Sequence, residues 1–366
     1  MVGNQLLKLL KTKIRNKETQ MPLSKIQAIN GQVTPNLGRR NMIINGGVQV
    51  SQRGSVNGIA MSGATNVYTA ADMWAIGRAN VGDTGTLDTS VTGGVLRVDV
   101  ATADTSLTSG SATSIRQIIE AQNCVHASGQ TVTLSFKFKT NKTGTYGVYL
   151  YGFDAASYGT PQSITVSAAD TLTSYTLTFT APSSIARDTG QGIGVNITLA
   201  ADSTREGAWY PTGETQVNFM DAGANYCELS EVQLEVGDTA TDFEHRSFGE
   251  ELSLCERYFQ TYSNRVWQGT NEHAANYFMY FDGVFRQKMR AAPTATIVGT
   301  VTLARPQVAV TQRPTHIQGL SDEGFTKAGW ATSGTYGGQL GSHGDAYYRM
   351  AVGAGPANQL QFSAEL

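Results

Sequence analysis

The dominant pattern along the chain is strict alternation of apolar and polar positions. Val132, Leu134, Phe136 and Phe138 alternate with Thr131, Thr133, Ser135, Lys137 and Lys139. Successive strand side chains point to opposite faces, so this segment is a strand with one buried and one wet face. Tyr175, Leu177 and Phe179 repeat the pattern against Thr176, Thr178 and Thr180, and Ile193, Val195, Ile197 and Leu199 repeat it again. In YCELSEVQLEV, residues 226–236, the apolar phase slips by one between Leu229 and Val232, which predicts a β-bulge. Further strands are expected at 42–50, 65–78, 94–101, 114–121, 145–153 and 215–220, and later at 276–287, 294–304, 306–312, 325–331, 345–352 and 358–366. YFMYF at 277–281 is apolar on both faces, the pattern of a doubly covered strand.

Two segments carry helical spacing instead. Leu6, Leu10 and Ile14 recur at i, i+4 and i+8 with lysines opposite, which predicts a short amphipathic helix. It is too short to persist alone in water, so its stripe requires a partner. FGEELSLCERYFQTY at 248–262 places Leu252, Cys255 and Phe259 on one stripe, with Ser247 positioned to cap it three residues before Glu250. The predicted architecture is all-β: an antiparallel jelly-roll β-sandwich over 41–247, a connecting helix over 248–262 and a smaller C-terminal β domain over 263–366. Residues 1–40 precede it as the helix and an extended linker, with Met21 a second plausible start.

Composition agrees and excludes several functions. The chain has 366 residues, 40 of them Gly, and its polar residues lean on Thr, Ser and Asn, which suit pleated surfaces and turns. Charged residues make up 15% and the net charge is −2, so nothing favours nucleic acid or an anionic membrane surface. No stretch approaches the roughly 20 apolar residues of a membrane span. Cys124, Cys227 and Cys255 are too few and too scattered for a disulfide framework, and free thiols are expected. The histidines (His126, His245, His273, His316, His343) fall at no metal-like spacing, no nucleophile elbow occurs, and no loop matches a dedicated calcium pattern. No catalytic residue, metal or cofactor is therefore assigned.

Two kinds of residue could carry chemistry. Candidate carboxylates for cleavage of a glycosidic bond are Asp221, Glu228 and Glu231, or Asp242 with Glu244. A solvated, ion-paired face explains them more simply, and no internal repeat suggests the long β-helix of a depolymerase. Aromatic residues in turn-rich loops are the stronger signal. Trp209 and Tyr210 in REGAWYPTGE, then Tyr158, Trp330 and Tyr336, are candidates to stack on the apolar face of a sugar. The competing reading has one of the Trp209–Tyr210 rings closing an open end of the sandwich.

Several segments together resemble a known family. RNMIINGGVQVSQRG at 40–54 resembles the opening of a jelly-roll module common in phage tail-fibre and other virion proteins. YTAADMWAIGR at 68–78 is similar to that module's second landmark, and QTVTLSFKFKTNKTGTYGVYL at 130–150 to its central strand pair. ELSEVQLEVGDTATDFEHRSFGEELSLCERYF at 228–259 resembles its last strand and exit helix. MRAAPTATI at 289–297 and the terminal SAEL are similar to a small β domain that often follows. The resemblance spans residues 40–366 and implies a carbohydrate-binding-module-like jelly roll on a phage particle, commonly trimeric and without catalysis. It assigns no ligand residues.

The expected function is a non-enzymatic trimeric tail fibre or receptor-binding protein, made in the host cytoplasm and carried on the virion, that contacts host surface glycan. Its partners would be copies of itself and other virion proteins, docked through Leu6, Leu10 and Ile14. A capsid head-fibre or decoration protein and a polysaccharide-cleaving tail enzyme are the alternatives.

Overall fold

The computed structural model describes residues 28–29, 32–33, 39–79, 82–271, 278–299, 301–305, 308–312, 316–329, 348–353 and 357–366. Leu6, Leu10, Ile14, Trp330 and Tyr336 lie outside the described residues, as do the side chains of 277–281 on which the doubly apolar reading rests. The chain divides into two compact units, Met1–Arg40 and Asn41–Leu366. In the first, β1 (Ala28–Ile29) pairs antiparallel with β2 (Gln32–Val33).

The second unit is an all-β, antiparallel jelly-roll sandwich with further sheets after it. In chain order its strands are β3 (Val56–Ala60), β4 (Val67–Tyr68), β5 (Ala75–Ala79), β6 (Thr86–Thr92), β7 (Val95–Thr102) and β8 (Ala112–Glu120). Then come β9 (Thr131–Thr140), β10 (Gly144–Gly152), β11 (Ser157–Tyr158), β12 (Gln162–Val166), β13 (Thr173–Thr180), β14 (Gln191–Ala201) and β15 (Tyr226–Val236). One sheet has the order β13-β9-β15-β7-β6-β3, and the other β11-β10-β14-β8-β5-β4 with β12 also on β10. Leu134, Phe136 and Phe138 point into the core between the sheets with Ile193, Val195 and Ile197, as period-two burial requires. The expected bulge is present: the β15–β9 register shifts between Ser230 and Gln233, and Glu231 adopts φ +49°.

The helix spans Phe248–Glu256, and the Ser247 side chain accepts the Glu250 N–H at 3.3 Å. It is shorter than expected, because β16 (Phe259–Tyr262) follows at once and pairs with a late strand. Beyond it lie β17 (Val266–Asn271), β18 (Phe278–Val284), β19 (Thr294–Val298), β20 (Val301–Arg305), β21 (Val308–Gln312) and β22 (His316–Gln318). The last are β23 (Gly324–Gly329), β24 (Tyr348–Val352) and β25 (Gln359–Ser363). They form the sheets β16-β25-β19 and β21-β20-β24-β17-β18-β23-β22 around Phe285, Phe325 and Phe362.

Residues 42–50 were expected to be a strand and form a turn instead. Asn45 adopts φ +55° and Val48 φ +51°. The Asn45 side chain donates to the carbonyls of Val50 (2.8 Å) and Asp72 (2.9 Å) and accepts from the N–H groups of Gln49 and Val50. Its own N–H goes to Glu251 on the helix, and its carbonyl receives the Trp74 indole N–H at 3.0 Å. The left-handed conformation tolerated by Asn thus replaces a sheet ladder with side-chain bonds. Segment 65–78 is likewise interrupted between β4 and β5 by the turn holding Asp72 and Met73 (φ +71°). Segment 215–220, also expected as a strand, forms none: Gln216 makes an isolated bridge with Thr145, and Phe219–Asp221 is a 3-10 turn capped by the Asn218 side chain.

Asp72 opens a second junction. It accepts from the backbone and side-chain N–H groups of Gln52 and lies 3.6 Å from Arg53, which also pairs with Glu365. The Tyr68 hydroxyl donates to the Leu366 carbonyl at 2.6 Å. Burial pushes the Glu365 carboxyl up to about 7, against the pull of Arg53. Burial also raises Asp72. A carboxyl raised in the folded state binds more protons there than when unfolded, so stability falls as pH rises from the usual 4.5 towards 7. A melting-temperature series is expected to fall from pH 5 to pH 8, by up to about 3 kcal/mol in stability. Glu365→Gln is expected to flatten that slope, and an unchanged slope would refute the assignment.

Candidate functional site

The site is the outer face of the β4–β12 sheet, the face turned away from the sandwich core. Strand register sets its composition. Tyr149 on β10 lies opposite Asn196 on β14, Asn196 opposite Arg116 on β8, and Arg116 opposite Ala75 on β5. One row across four strands therefore carries an aromatic ring, an amide and a guanidinium. The adjacent row carries Tyr151 opposite Gly194.

Small residues let Arg116 lie flat on the sheet. A Cβ at Gly77 would sit 2.6 Å from the Arg116 Cδ and 2.9 Å from the Ser114 Oγ, and one at Gly194 would sit 3.2 Å from the Phe153 ring. The Arg116 Nη1 donates to Asn66 at 3.0 Å, and its guanidinium carbon lies 5.9 Å from the Phe153 ring centre.

Aromatic rings wall this floor. Tyr149 lies 5.2 Å from Trp209 and 5.6 Å from Tyr158, while Tyr151 lies 4.8 Å from Tyr158 and 4.9 Å from Phe153. Tyr158, Pro161, Pro211 and Thr212 border an open depression of about 400 Å³ beside the cluster. The loop holding Trp209 is pinned to the sheet: Thr198 donates to the Trp209 carbonyl at 2.9 Å, and Gln216 accepts the Gly147 N–H at 2.7 Å. Gly147 permits this approach, since a Cβ there would fall 2.3 Å from the Trp209 carbonyl.

The structure thus brings Tyr158, Trp209 and Tyr210 together but assigns them different roles. Tyr158 is 45% exposed and offers a ring to solvent. Trp209 and Tyr210, expected on an open loop, are each 5% exposed and pack with Tyr149, Ala112 and Ala201. Their loop folds down onto the sheet, so they support the site and do not present it. Tyr149, Tyr151, Asn196 and Arg116 escaped sequence reading. The one available signal was an arginine on the outward phase of a strand whose neighbours are small.

Three side-chain donors in this cluster are enclosed without a hydrogen-bond partner: Arg116 Nε, Trp209 Nε1 and the Tyr149 hydroxyl. Burial pushes the Tyr149 phenol well above its usual range, with the positive charges of Arg116 and Arg205 pulling it back, so it stays protonated.

The carboxylates considered for sugar cleavage sit elsewhere, in ion pairs. Glu228 pairs with Arg97 at 3.0 Å and Lys139 at 3.2 Å, Glu231 with Lys137 at 2.7 Å, and Asp221 with Lys142. Glu244 accepts the Asn41 N–H at 2.6 Å. Among the described residues no group of three His, Cys, Asp or Glu could hold a metal ion. The three cysteines are free and buried.

Because the Tyr149 hydroxyl has only Ser114 beside it and makes no well-formed hydrogen bond, Tyr149→Phe is expected to leave the urea midpoint unchanged or raise it slightly. Tyr149→Ala is expected to cost about 3–5 kcal/mol through the cavity it opens. A loss above about 1 kcal/mol for the Phe variant would mean that the hydroxyl is bonded.

No protein-family model matches the chain, and no curated protein matches it in sequence. Solved structures similar to it include a CBM4 protein at 17% identity, covering 45% of this chain and 86% of the other with a TM-score of 0.28. A putative sugar-binding protein from Bacteroides thetaiotaomicron is 14% identical, covering 54% and 100% with a TM-score of 0.31. The enzymatically active domain of bacteriophage CBA120 tailspike protein 4 is 12% identical, covering 54% and 22% with a TM-score of 0.26. These likenesses span about half of this chain at low TM-score, and the reading of the site rests on its own side chains.

Proposed function

We propose that this chain is a non-enzymatic glycan-binding protein of a virus particle, built as a homotrimeric tail fibre or receptor-binding component. The observation that supports glycan binding is the outer sheet face itself. Rings of graded exposure stand beside polar groups from separate strands, the combination that grips a pyranose by its apolar face and its hydroxyls. Asp221, Glu228, Glu231 and Glu244 are engaged in ion pairs away from this face, which favours binding without cleavage.

The virion assignment rests on the resemblance of residues 40–366 to the tail-fibre module. Its landmark segments meet one another at Asn45, whose side chain bonds the Asp72 carbonyl, whose carbonyl receives the Trp74 indole and whose backbone N–H bonds Glu251 of the helix. Trimerisation rests on the apolar stripe Leu6, Leu10 and Ile14, which a single short helix cannot bury.

Tyr158→Ala removes the most exposed ring of the cluster. It is expected to weaken adsorption to host cells or glycan about tenfold with an unchanged melting temperature. Undiminished binding by the folded variant would dismiss this face. Sedimentation at micromolar concentration is expected to show three chains per particle, and a monodisperse monomer would contradict the trimer.

A further inference from the structure

We propose that the sugar bound on this face is acidic, and that Arg116 receives its carboxylate. This inference rests on the glycan-binding reading above and specifies its ligand.

The case begins with the way arginines are satisfied in this fold. Arg53, Arg246 and Arg257 each pair with a buried carboxylate, Glu365, Glu251 and Glu120 respectively, while Arg78, Arg205 and Arg290 make no ion pair among the described residues and direct their donors to backbone carbonyls instead. Arg116 makes no ion pair among the described residues. Its one hydrogen bond, from Nη1, goes to the neutral Asn66 amide. A guanidinium has five N–H donors in a fixed fork, and the Nε–Nη2 edge is the side that meets a carboxylate through two parallel bonds. In Arg116 that edge is unused, with Nε enclosed and unpartnered. Nη2 lies 3.5 Å from where a Gly194 Cβ would sit, so the absence of a side chain there keeps Nη2 clear, and a carboxylate that reaches it needs only a small shift of the side chain to meet Nε as well.

The surroundings favour an acceptor-rich ligand. The Arg116 guanidinium can only donate, while Trp209 Nε1 and the Tyr149 hydroxyl are enclosed beneath the face and offer a ligand no acceptor. Arg205 adds a second positive charge near Tyr149 and spends its own donors on the Gly110 carbonyl. Asp154, Asp202 and Glu206 in the flanking loops each accept a backbone N–H, and none of them forms an ion pair with Arg116. A planar, two-oxygen anion on a pyranose fits a flat guanidinium beside exposed rings. Uronic acids and sialic-type sugars share that chemistry.

The test is binding of the full-length protein to an array carrying neutral, uronic-acid, sialic-type and sulfated glycans. It is followed by titration of the best acidic oligosaccharide against its carboxyl-reduced counterpart. Wild type is expected to prefer the acidic form at least about tenfold, as loss of a bidentate charged bond implies. Raising salt from about 0.05 to about 0.5 M should weaken the acidic form selectively. Arg116→Gln should abolish the preference. Arg116→Lys, which keeps the charge without the fork, should retain only part of it. Tyr158→Ala should weaken both forms alike. Arg116→Gln strands no carboxylate, and melting curves of both variants verify folding; if the Gln variant is unfolded, the Lys variant decides.

Equal affinity for acidic and reduced forms, or an undiminished preference in the Arg116 variants, overturns the acid assignment and leaves glycan binding standing. Preference for sulfated over carboxylated glycans also overturns it. Failure of every glycan to bind wild type overturns both readings.

Discussion

The fold depends on one buried amide. Asn45 is fully buried, and its side chain and backbone together hold three parts of the chain at one point: its own turn through Gln49 and Val50, the turn of Asp72 and Trp74, and Glu251 of the helix. Around it, Asn41 bonds the Val232 carbonyl and the Leu234 N–H, and Arg246 bonds the Ile43 and Asn41 carbonyls and Glu251. The chain therefore enters and leaves the sandwich at the same place. A polar network of this kind strengthens structure only when its members are satisfied, because each missing partner leaves a desolvated group behind. Gly46 shows how closed the site is: a Cβ there would lie 2.1 Å from the Val232 carbonyl.

This closure determines what remains open. Glu120, at one end of β8, is held by Arg257 at 2.7 Å and by the Tyr258 hydroxyl, so the segment after the helix occupies that end of the outer sheet face. At the other end, the loop of Trp209 and Tyr210 is fastened by Thr198 and Gln216. Between them, on the same strand as Glu120, stands Arg116, half-exposed and without a carboxylate. Both flanks are fixed by bonds that leave no side chain of their own to neutralise the middle.

Much of this was legible in the sequence, and the boundary is physical. Strands β9, β13 and β14 follow from period two, the Glu231 bulge from a slip of phase, and the helix start from Ser247, because each depends on neighbours within a few residues. The turn at 42–50 was misread because Met42, Ile43, Ile44, Val48 and Val50 are as apolar as a strand. What makes it a turn is the Asn45 amide, whose partners include residues 27 and 206 positions away. The site was partly legible for a related reason. Tyr158 and Trp209 announce themselves as aromatics in loops, whereas Arg116 gains meaning only from register with Asn196 and Tyr149.

The unpartnered donors also bear on energetics. A buried donor left without an acceptor costs about 1–3 kcal/mol, and this small cluster contains three. Among the described residues the other unpartnered buried atoms are Arg53 Nη1 and Glu365 Oε1 at the Asp72 junction and Arg246 Nε beside Asn45, each on a side chain that also makes an ion pair, whereas the three beside Arg116 have no carboxylate among them. Unpartnered donors of this kind persist where function requires them and neighbouring packing compensates. Here the compensation is visible in Tyr149 and Trp209, whose rings are buried against each other while their polar atoms go unused. Of the three only the Arg116 donor belongs to a side chain that reaches the surface, so a ligand that supplies it with an acceptor gains binding free energy already forgone, without having to break an existing ion pair first.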